Sequence, residues 1–171
     1  LCIAIVLSTA SCAHRSTSIS RSLPERAVAR HPNQADSVTD SYFDWPVNSA
    51  RMTRGFFTNK RRPHLGLDLA AAKGSPILAS RGGTVIYKGR DFRGFGNLIM
   101  IESPGGWATL YAHLDRFMVT EGQKVAMGEI IGTMGRTGRA TGVHLHFEIR
   151  RNKVAVDPLP YLPGGAKLAK R

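Results

Sequence analysis

The chain has 171 residues, enough for one domain with a substantial core, and its composition is 42% hydrophobic. Its net charge of +12 excludes a strongly acidic protein and favours an anionic partner, such as a nucleic acid, an anionic membrane or an anionic polymer. We expect no nucleic-acid partner, because Lys60-Arg61-Arg62 is the longest basic run and no nucleic-acid-binding motif is recognisable.

The first residues predict export. Leu1–Ala10 is an apolar run too short to span a bilayer but long enough for a signal-peptide core. The small and polar residues before Cys12 resemble the cleavage box of a bacterial lipoprotein. We therefore expect a signal peptide over 1–11 and a membrane lipid anchor at Cys12. With Ala13 rather than aspartate after it, the protein is expected on the periplasmic side of the outer membrane. The alternative is an ordinary cleaved signal peptide.

The remaining chain divides by composition. Residues 12–40 are rich in Ser, Arg, Pro, Asn and Asp without a clear period, which predicts a flexible tether. Residues 41–163 contain short apolar runs separated by glycine turns, which predicts an antiparallel all-β domain, a sheet or sandwich, with little helix. Residues 164–171 are expected to form a basic tail. The predicted strands cover 52–57, 66–70, 76–79, 84–88, 97–102, 107–113, 121–125, 128–132 and the segment around 144–150.

Histidines mark the candidate site of this domain. His144 and His146 flank Leu145 in an apparent strand, so both imidazoles point to the same face. His64 and Asp68 lie four residues apart upstream, and His113 ends another predicted strand. Imidazole and carboxylate groups are ordinary zinc ligands, and a hydrolytic site uses three of them with a fourth position open. The spacing does not decide which of His144 and His146 binds the metal.

The region from Trp45 to Leu162 resembles the LytM/lysostaphin-type zinc metallopeptidase family. The shared motifs are His64-Leu-Gly-Leu-Asp68-Leu-Ala, Gly74-Ser-Pro-Ile-Leu-Ala, Gly83-Thr-Val, Gly96-Asn, Thr109-Leu-Tyr-Ala-His113-Leu, Gly122-Gln-Lys-Val, Gly128-Glu-Ile-Ile-Gly and Thr137-Gly-Arg-Ala-Thr-Gly-Val-His144-Leu-His146-Phe-Glu. The resemblance implies Zn²⁺ as cofactor, with His64, Asp68 and His146 as metal ligands and His113 and His144 as catalytic residues, in a groove of the β-domain.

The resemblance also implies a function. Members of the family cleave peptide bonds in peptidoglycan, so we expect a zinc endopeptidase that acts on peptidoglycan stem peptides. Many relatives have lost ligands and activate a cell-wall amidase instead, which is the second hypothesis. A third is a basic polymer-binding module whose histidines only store metal. The lipoprotein-like leader favours a D-Ala–meso-diaminopimelate cross-link as the substrate, with a glycine bridge as the alternative.

Other side chains have weaker interpretations. Tyr111 either lines the groove or packs in the core. Glu148 shares strand parity with His146 and either orients that imidazole or is a solvent-facing or structural carboxylate. Arg136 and Arg139 either reach stem-peptide carboxylates, which guanidinium groups bind in a bidentate manner, or are solvated loop residues.

Overall fold

Eleven β-strands and one 3-10 turn make up the regular structure of the residues that the computed structural model describes, 43–59 and 61–165. The predicted signal peptide, Cys12 and the tether lie outside these residues. The strands are β1 Arg51–Arg54, β2 Leu67–Ala70, β3 Pro76–Leu78, β4 Gly83–Gly89, β5 Leu98–Ser103, β6 Trp107–Ala112, β7 Leu114–Phe117, β8 Lys124–Val125, β9 Ile130–Met134, β10 Leu145–Arg151 and β11 Val154–Val156, and the 3-10 turn is Leu159–Tyr161.

The strands form two antiparallel sheets. The larger sheet has eight strands in the order β1-β2-β10-β6-β5-β4-β8, and β11 pairs with the second half of β10. The smaller sheet has the order β3-β9-β7. All pairings are antiparallel. The predicted antiparallel all-β class is therefore confirmed. Within the described residues, no helix is long and apolar enough to cross a membrane.

The centre of the larger sheet has two buried faces of different character. Side chains alternate along a strand, so one face of β2, β6 and β10 packs into the main hydrophobic core. That face consists of Leu67, Leu69, Tyr111, Leu145, Phe147 and Ile149. The other face carries Asp68, His146 and Glu148 beside a small apolar cluster of Leu98, Leu110 and Ala112. The apolar positions thus fix the register, and the register fixes where the polar side chains lie.

Several elements differ from their predicted bounds. The first strand ends at Arg54, and Phe57 instead forms an isolated bridge with His64. His113 lies outside a strand, between β6 and β7, with a positive φ of 64°. Strands β7 and β11 were not predicted. Both strands are short, and neither is bounded on both sides by glycine turns, the signal that marks strands in this sequence.

Candidate metal centre

Three side chains from two segments converge on one point. The carboxylate oxygen Oδ1 of Asp68 lies 3.0 Å from Nε2 of His64 and 2.9 Å from Nδ1 of His146. One ligand atom from each residue lies within 4.8 Å of the others. Asp68 and His146 are directly paired across β2 and β10, so the sheet register brings them together. The structure therefore places all three sequence-predicted metal ligands in one cluster.

Hydrogen bonds assign the role of each ring nitrogen in the two histidines. Nδ1 of His64 lies 2.7 Å from the carbonyl oxygen of Gly55, so this nitrogen carries a proton and donates it. Nε2 of His146 lies 3.0 Å from Oε1 of Glu148 and donates in the same way. The nitrogens that face Asp68 are Nε2 of His64 and Nδ1 of His146, and a metal bound here would take their lone pairs in place of any proton they carry. Partners behind the ligands are a common means of orienting metal-binding histidines.

Glu148 belongs to the site although it does not face Asp68. It is only 1% exposed, and its second oxygen lies 2.7 Å from both Nε and Nη2 of Arg150. Burial alone would raise the pKa of Glu148, but hydrogen bonds from His146 and Arg150 outweigh it and lower the pKa. Glu148 is thus a buried carboxylate that holds His146. This agrees with the orienting interpretation.

Hydrogen bonds control the protonation of Asp68 and His146 in this centre. Burial raises the pKa of Asp68, but hydrogen bonds from His146 and His64 outweigh this effect, so the pKa lies well below its usual range. For His146, burial disfavours the charged imidazole, yet the hydrogen bonds to Asp68 and Glu148 raise its pKa to about 9. Two imidazole nitrogens and one carboxylate oxygen form a donor set that suits a divalent transition metal with one position left for a substrate or water.

His113 and His144 lie beside the cluster. Nε2 of His144 is 3.7 Å from Oδ1 of Asp68, and the rings of His113 and His144 are 4.7 Å apart between centroids. Nδ1 of His113 donates to the carbonyl of Thr137 at 2.7 Å, and Nδ1 of His144 donates to that of Gly142 at 3.0 Å. Nε2 of both rings remains available as an acceptor. Burial is the main reason that the pKa of His113 is lowered, which favours the neutral ring.

The position of His113 depends on the point where the chain leaves one sheet for the other. Its backbone N–H donates to the carbonyl of Phe95 at 2.9 Å, and the next N–H, that of Leu114, donates to the carbonyl of Asn97. The buried Asn97 amide donates to the carbonyls of Leu114 and Asp115. No role for Asn97 was predicted from the sequence. The signal that could have revealed one is a polar residue between Gly96 and the apolar run of β5.

Gly66, between His64 and Asp68, packs closely against the backbone of β10. A Cβ atom at this position would lie 2.3 Å from the carbonyl oxygen of Phe147, so only glycine lets β10 approach the segment before β2. This contact holds the segment of His64 and Asp68 against β10, which carries His146.

Tyr111 is fully buried, and its hydroxyl accepts a hydrogen bond from the N–H of Ser80 and donates one to Thr109. The core interpretation of Tyr111 is therefore the correct one.

The two arginines named from the sequence lie apart. Arg139 lines a cavity of about 270 Å³ together with His113 and His146, whereas Arg136 lines a different one beside Lys73 and Asp115. Arg93, to which the sequence analysis gave no role, shares the cavity of Arg139.

Known proteins provide the context for this geometry. A sequence profile described as "Peptidase family M23" matches residues 62–158. The "Uncharacterized lipoprotein YgeR" of Escherichia coli is 49% identical over 156 residues, covering 84% of this chain and 62% of the relative. The "DD-carboxypeptidase/endopeptidase Mpg" of Neisseria meningitidis is 49% identical over 98 residues, covering 57% and 22%.

Two further comparisons point in different directions. The "Murein hydrolase activator NlpD" of Salmonella dublin is 38% identical over 135 residues, covering 77% of this chain and 35% of the relative. A solved structure described as a zinc containing peptidase from Vibrio cholerae aligns with a TM-score of 0.63 at 35% identity, covering 68% of this chain and 39% of that one. The chain spans less than two thirds of the length of each of these proteins.

Proposed function

The chain belongs to peptidase family M23, and from that premise we propose that it is a zinc-dependent endopeptidase that hydrolyses peptide cross-links of peptidoglycan. The observation that carries the proposal is the convergence of Nε2 of His64, Oδ1 of Asp68 and Nδ1 of His146, with His113 and His144 beside them. In this proposal the first three residues hold zinc. The zinc-containing peptidase of Vibrio cholerae supports that choice of metal.

The chemistry that follows is peptide hydrolysis with histidines as proton carriers. Zinc, when bound, supplies Lewis-acid polarisation of the scissile carbonyl and of the attacking water. His113 and His144 both direct Nδ1 at a backbone carbonyl, which leaves Nε2 of each ring to face the substrate. One of them accepts the proton of the attacking water. The other, once protonated, donates a hydrogen bond to the developing oxyanion or a proton to the leaving amine.

The same family membership supports a second function. Because a relative is named as a murein hydrolase activator, this chain could instead present its surface to a cell-wall amidase. The two functions differ in what the histidines must do. An activator needs a surface for its partner, whereas a peptidase needs proton transfer at His113 and His144. The complete set of five predicted residues in this chain favours the peptidase.

The proposed setting is the bacterial cell envelope. We infer a signal peptide over 1–11, lipidation at Cys12, a tether over 12–40, a metallopeptidase domain over 41–163 and a basic tail over 164–171. The relative named as a lipoprotein supports the anchor. The relative named as a DD-carboxypeptidase/endopeptidase supports the D-Ala–meso-diaminopimelate cross-link as the bond that is cut.

The test uses the purified protein, peptidoglycan sacculi and mass spectrometry of the released fragments, with added zinc or with a chelator. We expect cross-link cleavage with zinc and none with the chelator. His64→Ala should abolish both zinc binding and cleavage, whereas His113→Ala should abolish cleavage and keep zinc. A zinc-loaded protein that releases no fragments but accelerates an added amidase would establish the activator instead. A protein that only stores zinc would neither release fragments nor accelerate the amidase.

A further inference from the structure

We propose that Arg93 and Arg139 form a carboxylate-binding subsite beside the metal centre, and that the preferred substrate carries a free carboxylate next to the bond that is cut. This inference rests on the proposed function and specifies its substrate. Neither arginine is one of the five residues that the chemistry requires. The subsite would select among cross-links rather than take part in their hydrolysis.

The subsite occupies the cavity that adjoins the centre, which we call the arginine cavity. Its volume is about 270 Å³, and it is lined by Arg93, Gly94, Phe95, His113, Arg139 and His146. It therefore contains one proposed metal ligand and one proposed catalytic residue together with two guanidinium groups. A substrate group in this cavity would lie close to the reacting bond. No carboxylate contributes to the lining, so the cavity has a positive character.

Both arginines lack an anionic partner within the described part of the chain. Three nearby carboxylates are already engaged. Asp68 faces His64 and His146, Glu148 pairs with Arg150, and Asp115 pairs with Lys73 and Arg116. None of the ion pairs of the described residues includes Arg93 or Arg139. Two exposed guanidinium groups on one cavity are thus available to an external anion.

Two loops clamp the arginines on the same cavity. The N–H of Arg139 donates to the carbonyl of Gly94 at 2.9 Å, and Gly94 follows Arg93 directly. Gly96 and Gly138 lie so close that a Cβ on Gly138 would be 2.4 Å from the backbone nitrogen of Gly96. The backbone bearing the two side chains is therefore fixed, which lowers the entropy lost when both bind one anion.

A carboxylate is the anion that fits this arrangement. The planar guanidinium group pairs with a carboxylate through two parallel hydrogen bonds, and the pair is stronger than a neutral hydrogen bond. A cross-link through meso-diaminopimelate carries such a group on the residue beside the scissile bond, whereas a glycine bridge carries none. Amidation of that carboxyl group removes the charge with little change in shape. The structure thus predicts which cross-links are favoured.

The experiment compares three cross-linked muropeptides with the zinc-loaded protein: one with free diaminopimelate carboxyl groups, one with those groups amidated, and one with a glycine bridge. We expect kcat/KM to be at least about tenfold higher for the free carboxylate than for its amide, as the loss of a charge-assisted hydrogen bond predicts. Arg139→Ala and Arg93→Ala should each reduce cleavage of the free carboxylate and leave the amide unaffected. Arg139→Lys keeps the charge but loses the planar pair of donors, so it should give an intermediate kcat/KM for the free carboxylate.

Lys124→Ala is the matched control, because it removes the same charge from the edge strand β8 and Lys124 does not line the arginine cavity. This substitution should leave kcat/KM unchanged for both the free carboxylate and its amide. Equal cleavage of the carboxylate and the amide, or an equal effect of the arginine variants on both, would overturn the subsite and leave the peptidase intact. If no muropeptide is cleaved, the peptidase fails. Calorimetric binding of the same muropeptides then tests the subsite, and equal affinity for the carboxylate and the amide would overturn it.

Discussion

The imidazoles of His64 and His146 are oriented by acceptors on the side away from the proposed metal position. For His146 that acceptor is the buried Glu148 carboxylate, which is itself held by Arg150. The two carboxylates that contact His146 thus have different proposed roles, since Asp68 faces the proposed metal position and Glu148 faces away from it. The strand geometry provides this division, because positions 146 and 148 share one face of β10.

Replacement of the orienting carboxylate should weaken metal binding. We expect Glu148→Gln to reduce zinc affinity by about 10- to 100-fold, the range found when such supporting partners of metal ligands are changed. Competition with a chromophoric chelator measures the affinity. Glu102→Gln, on an exposed position of β5, is the control and should bind zinc as the unmodified protein does. Equal affinities for the two variants would contradict the orienting role.

Zinc binding should release a proton. In the metal-free protein the pKa of His146 is raised to about 9, so at neutral pH the ring carries a proton on Nδ1 that zinc must displace. Zinc affinity should therefore rise by about tenfold for each pH unit below that pKa and level off above it. Calorimetry in two buffers of different ionisation enthalpy measures the protons released. An affinity that does not change with pH would contradict this linkage.

The backbone of His113 adopts a left-handed conformation that is unfavourable for a residue with a side chain. With φ at 64°, an L-residue loses about 1 kcal/mol relative to glycine, which adopts this conformation freely. We expect His113→Gly to unfold at a higher temperature than His113→Ala, although both lack the imidazole. Ala112 lies one residue earlier, in the regular strand β6, so its replacement with glycine should instead lower the unfolding temperature. Thermal unfolding followed by circular dichroism distinguishes the two positions.

At the scale of elements, β2 and β10 bring the proposed ligands together, and Gly66 allows the close approach between their segments. Gly66→Ala should lower the free energy of unfolding by about 1–3 kcal/mol, as overpacking generally does, and should also weaken zinc binding. The control is Gly142→Ala, since a Cβ there would contact nothing within 4 Å. Denaturant unfolding measures the stability of both variants. Equal stabilities would show that β10 moves aside without cost.

The sequence predicts the elements of this sheet well and their junctions poorly. Alternation of apolar residues locates β2, β6 and β10, and the parity of positions 144 and 146 correctly places both histidines on the side of Asp68. The turn at His113 could not be anticipated, because it depends on backbone hydrogen bonds to Phe95 and Asn97 from a distant loop. The arginine cavity has the same origin, since Arg93 and Arg139 are 46 positions apart in the chain and meet only through loop contacts.

For the whole molecule, the net charge of +12 should govern how the protein approaches its proposed polymer substrate. Attraction between a basic protein and an anionic wall is screened by salt, with a Debye length that falls from about 10 Å at 0.1 M to about 3 Å at 1 M. We therefore expect cleavage of intact sacculi to slow severalfold as sodium chloride rises over that range. The change should appear in the apparent KM, because salt weakens the encounter and leaves the buried centre unchanged.

A short cross-linked muropeptide provides the comparison for this salt dependence. It has few charges, so its cleavage should depend less on salt than that of sacculi, and the difference isolates the contribution of the long-range field. Fragment release by both substrates is measured in parallel at each salt concentration. If both slow by the same factor, salt acts on the centre or on the subsite at Arg93 and Arg139 rather than on the approach to the wall. In that case the overall charge has no role in recognition of the polymer.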